Sequence, residues 1–305
     1  VIGILGGGAF GSALGVALAR AQRPVILWAR DVSGFGAEAP RLPGVPLPGG
    51  LRVTGQLADL AGAEVILAAV PMAALQDVLT QAADVVAGKS VVACCKGLDL
   101  ETGQGPTALI TASGARAAIL SGPSFAADIA RGLPTALTLA GAEAHALQQQ
   151  LSTPTLRLYR SDDVVGVALG GAVKNVIAIA CGAAIGAGLG ESARSALMTR
   201  GFAEMQRLGA AMGARPETLM GLSGLGDLAL TCASAMSRNY QYGLALGGGQ
   251  SFDAAATVEG RRTAAAVARL GHDLPICATV AALCQGQTSV AEAIEALLSR
   301  PLRAE

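Results

Sequence analysis

Residues 164–190, VVGVALGGAVKNVIAIACGAAIGAGLG, constrain the fold of this chain more than any other stretch. The run is almost wholly apolar, so it has to be enclosed, either by lipid or by protein. Yet Lys174 and Asn175 stand side by side at its middle. An ammonium buried there is costly unless it is paired or its pKa falls. Three readings compete: a membrane span, a core helix with a satisfied lysine, and an active-site helix. Seven glycines and the Lys-Asn pair within 27 residues read poorly as a lone span. No other segment offers an uninterrupted apolar run of spanning length. Stable membrane insertion is therefore not expected.

The remaining chain narrows the choice. At 305 residues it can hold two domains and a sizeable core. Basic and acidic residues balance at 22 each, which argues against a nucleic-acid surface but leaves room for a small anion site. The six cysteines, Cys94, Cys95, Cys181, Cys232, Cys277 and Cys284, form no CxxC pair. The two histidines, His145 and His272, lie far from them in sequence. The expectation is reduced, mostly buried thiols in a cytoplasmic protein, with no metal site and no disulfide framework. The opening VIGIL carries no basic n-region, so it does not read as a signal peptide.

Short runs rich in Val, Ile, Leu and Ala recur at Val1–Leu5, Pro24–Trp28, Leu51–Thr54, Glu64–Val70, Val91–Cys95, Ala117–Leu120, Thr135–Ala140 and Thr155–Tyr159. Helical patterns separate several of them, one predicted over 73–86. This is the signature of an α/β domain with a mostly parallel, Rossmann-type sheet. Residues 34–50, rich in Gly and Pro, read as loop. After Asp163 long Ala/Leu/Gly helical stretches take over. The expected division is residues 1–163 for the sheet domain and 164–305 for an all-α substrate domain.

Gly6-x-Gly8-x-x-Gly11 fits a dinucleotide fingerprint, with a strand before it and a helix after it. Asp31 lies 20 residues beyond Gly11, where an acid would hold a ribose, but Arg30 precedes it and suits a 2′-phosphate. NADPH is the favoured cofactor, with NADH possible.

Ligands of such sheets collect at the carboxyl ends of the strands. Lys96 ends one strand, and Ser121-Gly122-Pro123-Ser124-Phe125-Ala126 turns from another into a helix. Ser124 is either a ligand contact or a simple helix cap. Downstream, Asp227 sits among apolar residues and glycines and needs a partner, for which Lys174 is the natural candidate. Burial lowers an ammonium's pKa and a carboxylate raises it, so the balance can make Lys174 a proton donor near neutral pH. Ser237-Arg238-Asn239 suits a phosphate but by itself reads as an exposed turn; Glu259 suits cofactor hydroxyls or a helix cap. Arg261-Arg262 reads as a solvated helix face.

Taken together these motifs resemble the bacterial NAD(P)-dependent glycerol-3-phosphate dehydrogenase family. The likeness rests on GGGAFGSAL at 6–14, LWARD at 27–31, AVP at 69–71, CKGLDLETG at 95–103 and SGPSFAADIARGLPTAL at 121–137. It continues through GGAVKNVIAI at 170–179, GLGDLALTC at 224–232, SRNYQYG at 237–243 and VEGRRT at 258–263. Ala9-Phe10 stand where the family more often has Ser-Tyr or Ser-Trp.

The resemblance implies reversible NAD(P)H-dependent reduction of dihydroxyacetone phosphate to sn-glycerol 3-phosphate, feeding glycerophospholipid synthesis. It makes Lys174 the proton donor and acceptor, with Asp227 and Lys96 beside it. Substrate contacts would be Lys96, Gly122, Ser124, Lys174, Asn175, Asp227, Thr231, Ser237, Arg238 and Asn239. Cofactor contacts would be Gly6, Gly8, Ala9, Phe10, Gly11, Arg30, Lys96, Ala126, Arg238 and Glu259. A homodimer is a possible assembly. Two alternatives stand beside this reading. One is a related two-domain reductase of a hydroxy acid or imine. The other is a non-catalytic NADPH-binding sensor, which would have no need of Lys174 and Asp227.

Overall fold

The computed structural model describes residues 1–99, 103–253 and 256–299. Eight strands form one sheet: β1 (Ile2–Leu5), β2 (Val25–Trp28), β3 (Leu51–Thr54), β4 (Val65–Ala68), β5 (Ser90–Ala93), β6 (Arg116–Ser121), β7 (Thr135–Gly141) and β8 (Leu156–Ser161). Their order across the sheet is β3-β2-β1-β4-β5-β6-β7-β8. Every pair is parallel except β6 with β7, which run antiparallel. β1 and β4 are buried throughout, as strands covered on both faces must be.

The helices between strands are α1 (Ala9–Arg20), α2 (Met72–Gln81), α3 (Ala83–Val86), α4 (Pro106–Ala112), α5 (Ala126–Arg131) and α6 (Ala144–Leu151). The single helix predicted over 73–86 is thus two, broken at Ala82, whose φ of −97° and ψ of 15° leave the helical range. Val85 and Val86 of the second piece are buried in the same core as Leu79 of the first.

Beyond β8 the described residues form only helices and connections. They are α7 (Val164–Gly186), α8 (Gly190–Met212), α9 (Pro216–Met220), α10 (Asp227–Ala233), α11 (Arg238–Gly247), α12 (Glu259–Ala268), α13 (Pro275–Cys284) and α14 (Val290–Leu298). Residues 164–186 of the long apolar run form α7. It is long and apolar enough to cross a membrane by composition, yet it lies in the middle of the helical part, buried along most of its length. α8, α10, α11, α12 and α13 all pack on it.

Asp163 starts α7. Its Oδ1 accepts from the Gly166 N–H at 2.8 Å, and its Oδ2 accepts from the Arg215 N–H at 2.8 Å, tying the helix start to the approach of α9. Glu204 does similar work at a distance. It is buried on α8 and accepts from Ile276 N at 2.7 Å and Cys277 N at 3.0 Å, the open amides of α13. Burial raises its pKa, and those two amides oppose the rise. The six cysteines are free thiols, and five of them are buried.

Small residues set the closest helix contact. Gly182 and Gly186 of α7 face Tyr240 O and Leu244 O of α11, while Gly243 and Gly247 of α11 face Ile179 O and Ala183 O of α7. A Cβ at any of the four would collide with the facing carbonyl oxygen. Two of the seven glycines that make the run a poor membrane span, Gly182 and Gly186, are therefore the seam along which α11 docks. Gly182→Ala should cost about 1–3 kcal/mol by forcing the helices apart. A thermal melt would register the loss, and an unchanged midpoint would contradict the seam.

Candidate active site

The nucleotide loop joins β1 to α1, and its three glycines do three different things. Gly6 has φ +118°, and a Cβ there would lie 2.8 Å from Ala69 O. Gly11 lies so close to Gly6 O that a Cβ would collide with it, so only glycine lets α1 pack on the loop. A Cβ on Gly8 would meet nothing within 4 Å, which leaves its face open for a ligand. Tight turn, open face and close packing are what a pyrophosphate at a helix N-terminus requires. The loop thus fits a dinucleotide. Ala9 and Phe10 form the first turn of α1 beside it.

At the end of β2, Asp31 is committed elsewhere. Its Oδ1 accepts from the Ser33 hydroxyl at 2.6 Å and the Ser33 N–H at 2.9 Å. The hydroxyl first, and then the amide, hold its pKa below the ordinary value. Arg30 is exposed and has no hydrogen-bond or ion-pair partner among the described residues.

The chemistry concentrates where α7 passes the carboxyl ends of β5 and β6. Asp227 is 1% exposed, and each of its oxygens holds one ammonium. Oδ1 accepts from Lys174 Nζ at 2.8 Å and Oδ2 from Lys96 Nζ at 2.5 Å. Lys174 Nζ also donates to Thr231 Oγ1 at 2.6 Å, and that hydroxyl donates to Asp227 Oδ1 at 3.3 Å. An ammonium has three N–H groups, so one N–H of Lys174 meets no acceptor among the described residues. Lys96 reaches the Gly122 carbonyl at 3.4 Å, which joins the β6 turn to the cluster. Gly122 has φ +148°, and a Cβ there would lie 3.1 Å from Leu137 Cα. The pairing of Lys174 with Asp227 is the one anticipated from the sequence. The second ammonium on the same carboxylate is not foreshadowed by any spacing.

Local backbone structure explains how Asp227 gets there. Leu222–Gly226 form a π-helical turn closed by the Gly226 N–H on Gly221 O at 3.1 Å, and α10 begins at Asp227. π-turns are rare and re-aim the residue that follows. Gly170 of α7, one turn before Lys174, lets this turn approach: a Cβ there would lie 2.6 Å from Ser223 O.

Burial pushes the Lys174 ammonium down to about 8 from its ordinary 10.5; Asp227 pulls it back up and Lys96 lowers it. Between those values the unfolded chain keeps the proton that the folded chain has released. This lysine's contribution to stability therefore rises with pH across that window.

The other expected residues lie around this core. Ser124 Oγ donates to Gly122 O at 3.3 Å, while α5 begins after Phe125, so Ser124 is not its cap. Ala126 is the first residue of that helix. Ser237 is buried and caps α11, its Oγ accepting from the Tyr240 N–H at 3.2 Å. Arg238 is exposed at the first turn of α11. Glu259 is the first residue of α12. Burial raises its pKa, opposed first by Arg238 and then by Lys96. Asn239 has both ends of its carboxamide engaged: Nδ2 donates to Asn175 Oδ1 and Oδ1 accepts from Gly260 N, each at 2.9 Å. Arg261 and Arg262 are exposed as read, with Arg261 stacked 5.3 Å from the Tyr242 ring centre.

Comparison with known proteins covers the whole chain. The family description "NAD-dependent glycerol-3-phosphate dehydrogenase N-terminus" matches residues 1–147, and its C-terminus counterpart matches 163–295. A glycerol-3-phosphate dehydrogenase [NAD(P)+] of Cereibacter sphaeroides is 60% identical, with 100% of both chains covered. One of the same description from Roseobacter denitrificans is 56% identical over 100% of this chain and 99% of its own. Among solved structures, glycerol-3-phosphate dehydrogenase from Coxiella burnetii superposes with a TM-score of 0.93 at 34% identity, covering 98% of each chain.

Replacing Asp227 by Asn should drop the Lys174 pKa further below about 8, because the neighbouring anion that holds it up is gone. NMR titration of isotopically labelled lysines reads this directly, and a value unchanged by the substitution would contradict the pairing.

Proposed function

The chain belongs to the NAD-dependent glycerol-3-phosphate dehydrogenase family and is an NAD(P)-dependent oxidoreductase of that activity, and we propose that Lys174 is its proton donor and acceptor. The observation that carries this reading is the Lys96–Asp227–Lys174 cluster with one free N–H on Lys174. A nicotinamide cofactor held at the β1–α1 loop would supply or take the hydride at C2 of the substrate.

The chain's residues do the rest. The free Lys174 N–H hydrogen-bonds the C2 carbonyl oxygen of dihydroxyacetone phosphate and polarises it. As negative charge develops on that oxygen, Lys174 transfers the proton, giving the C2 hydroxyl of sn-glycerol 3-phosphate. A lysine with a pKa of about 8 both gives and takes a proton near neutral pH, which suits a reversible reaction. Asp227 and Thr231 orient Lys174. Lys96 adds a second positive charge on the substrate side, with Gly122, Ser124 and Asn175 around it. Two ammoniums against one carboxylate leave the site cationic, which suits a phosphorylated anion. Arg238 and the open amides at the start of α11, capped by Ser237, suit the phosphate end.

NADPH is the preferred cofactor, NADH the secondary one. Support comes from the exposed Arg30, which has no partner among the described residues, beside an Asp31 already occupied by Ser33. Gly6, Gly8, Ala9, Phe10 and Gly11 receive the pyrophosphate, and Ala126, Lys96, Arg238 and Glu259 border the remainder. The product suits glycerophospholipid synthesis in the cytoplasm, and a homodimer is the assembly we favour.

The purified chain should oxidise NADPH when given dihydroxyacetone phosphate, faster than NADH and far faster than with unphosphorylated dihydroxyacetone. Lys174→Ala should bind NADPH normally yet lose about 10²–10⁴-fold in turnover. Equal rates with the two ketones would contradict the phosphate site, and retained turnover would contradict the proton-transfer role.

A further inference from the structure

Residues 32–50, the Gly- and Pro-rich loop after β2, hold none of the roles assigned so far, yet one of their side chains lies on the nucleotide loop. Gly7 stands between the first two glycines of the fingerprint. A Cβ there would lie 2.6 Å from Ala29 Cβ and 2.8 Å from Phe35 Cζ. The Phe35 ring thus fills the space that a side chain at position 7 would take, beside the end of β2.

Two local turns bring the ring there. Asp31 Oδ1 accepts from the Ser33 hydroxyl and N–H, and the Phe35 N–H donates to Val32 O at 3.0 Å. The carboxylate at the usual ribose position therefore builds the turn that returns the chain to Gly7. Phe35 also packs on the buried core that includes Ala29 and Leu42, which anchors the loop. It is only half-buried, however, and an anchor alone would leave no ring surface open.

The chemistry of the cofactor fixes what that surface would meet. Arg30 is exposed and adjoins Ala29. In NADPH the 2′-phosphate and the adenine sit on neighbouring carbons of one ribose. With the pyrophosphate over Gly8 and the 2′-phosphate on Arg30, the base falls on the side of the nucleotide loop that Phe35 covers. A base stacked on an aromatic ring gains about 5–150-fold in affinity, whatever its hydrogen-bonding pattern.

We propose that Phe35, presented by the Asp31–Ser33 turn and seated on Gly7, is the residue on which the adenine ring of the cofactor stacks. This rests on the NADPH reading above and adds to it a contact with the base, where Arg30 serves the phosphate.

The test is Phe35→Leu, which keeps an apolar anchor and removes the flat face, read by calorimetric binding of two probes to the whole chain. One is adenosine 2′,5′-bisphosphate; the other is ribose 2,5-bisphosphate, which has both phosphates and no base. Phe35→Leu should melt near wild type, bind the adenosine probe about tenfold more weakly and bind the base-free probe within about twofold of wild type. Phe35→Tyr keeps the ring and should bind both probes as wild type does. Equal weakening of both probes in Phe35→Leu would make Phe35 a prop for the Gly7 backbone and overturn the proposal. Unchanged affinity for the adenosine probe would overturn it too. If Phe35→Leu did not fold, Phe35→Met with the same two probes makes the same comparison. A wild-type chain that bound adenosine 5′-monophosphate as tightly as the bisphosphate would fail the NADPH preference alone. The comparison would then use adenosine 5′-monophosphate and ribose 5-phosphate: only the adenosine probe should weaken, and equal weakening, or none, would overturn the stacking role.

Discussion

Everything at the centre of this molecule depends on one buried carboxylate shared by two ammoniums. Asp227 neutralises only one of the two positive charges it touches. An isolated ammonium in the apolar run of α7 is not tenable, and a single ion pair would leave the pair with no net charge. The three-way arrangement does neither. It keeps Lys174 charged enough to hold its place and weakly enough to release a proton, and it leaves a net positive charge for an anionic substrate.

That carboxylate is held by backbone rather than by bulk. The π-turn at Leu222–Gly226 aims Asp227, and Gly170 gives the turn room against α7. Further along, the glycine seam lets α11 lie against α7 closely enough for Asn239 to reach Asn175. A chain so poor in aromatic residues packs by closeness instead of size, and its abundant Gly and Ala are where that closeness is encoded. The same residues that make α7 look like a flawed membrane helix make it the axis of a protein core.

Much of this is legible in the sequence because some physical demands leave few choices. The parallel sheet is readable since strands buried on both faces are continuous apolar runs, and the nucleotide loop is readable since its glycines sit between one strand and one helix. The need of Lys174 for an anion follows from burial alone, and Asp227 is the acid in matching surroundings. What stays hidden depends on distances between helices. No spacing reveals that Lys96 shares Asp227, that β7 runs antiparallel to β6, or that a π-turn precedes α10. Ser237-Arg238-Asn239 by itself reads as an exposed turn, and no spacing reveals that Ser237 is buried as a helix cap or that Asn239 bonds to Asn175 and Gly260. Glu204, buried far from any motif, has no sequence signal and is visible only through the α13 amides it satisfies.

The central claim is that Lys174, tuned by burial against Asp227, carries the reacting proton. The most direct measurement is kcat/KM against pH for the wild-type chain in both directions. Reduction of dihydroxyacetone phosphate needs the protonated lysine and should fall as pH rises through about 8; oxidation of glycerol 3-phosphate needs the neutral lysine and should rise through the same region. Two profiles with no opposed limbs in that range would contradict it.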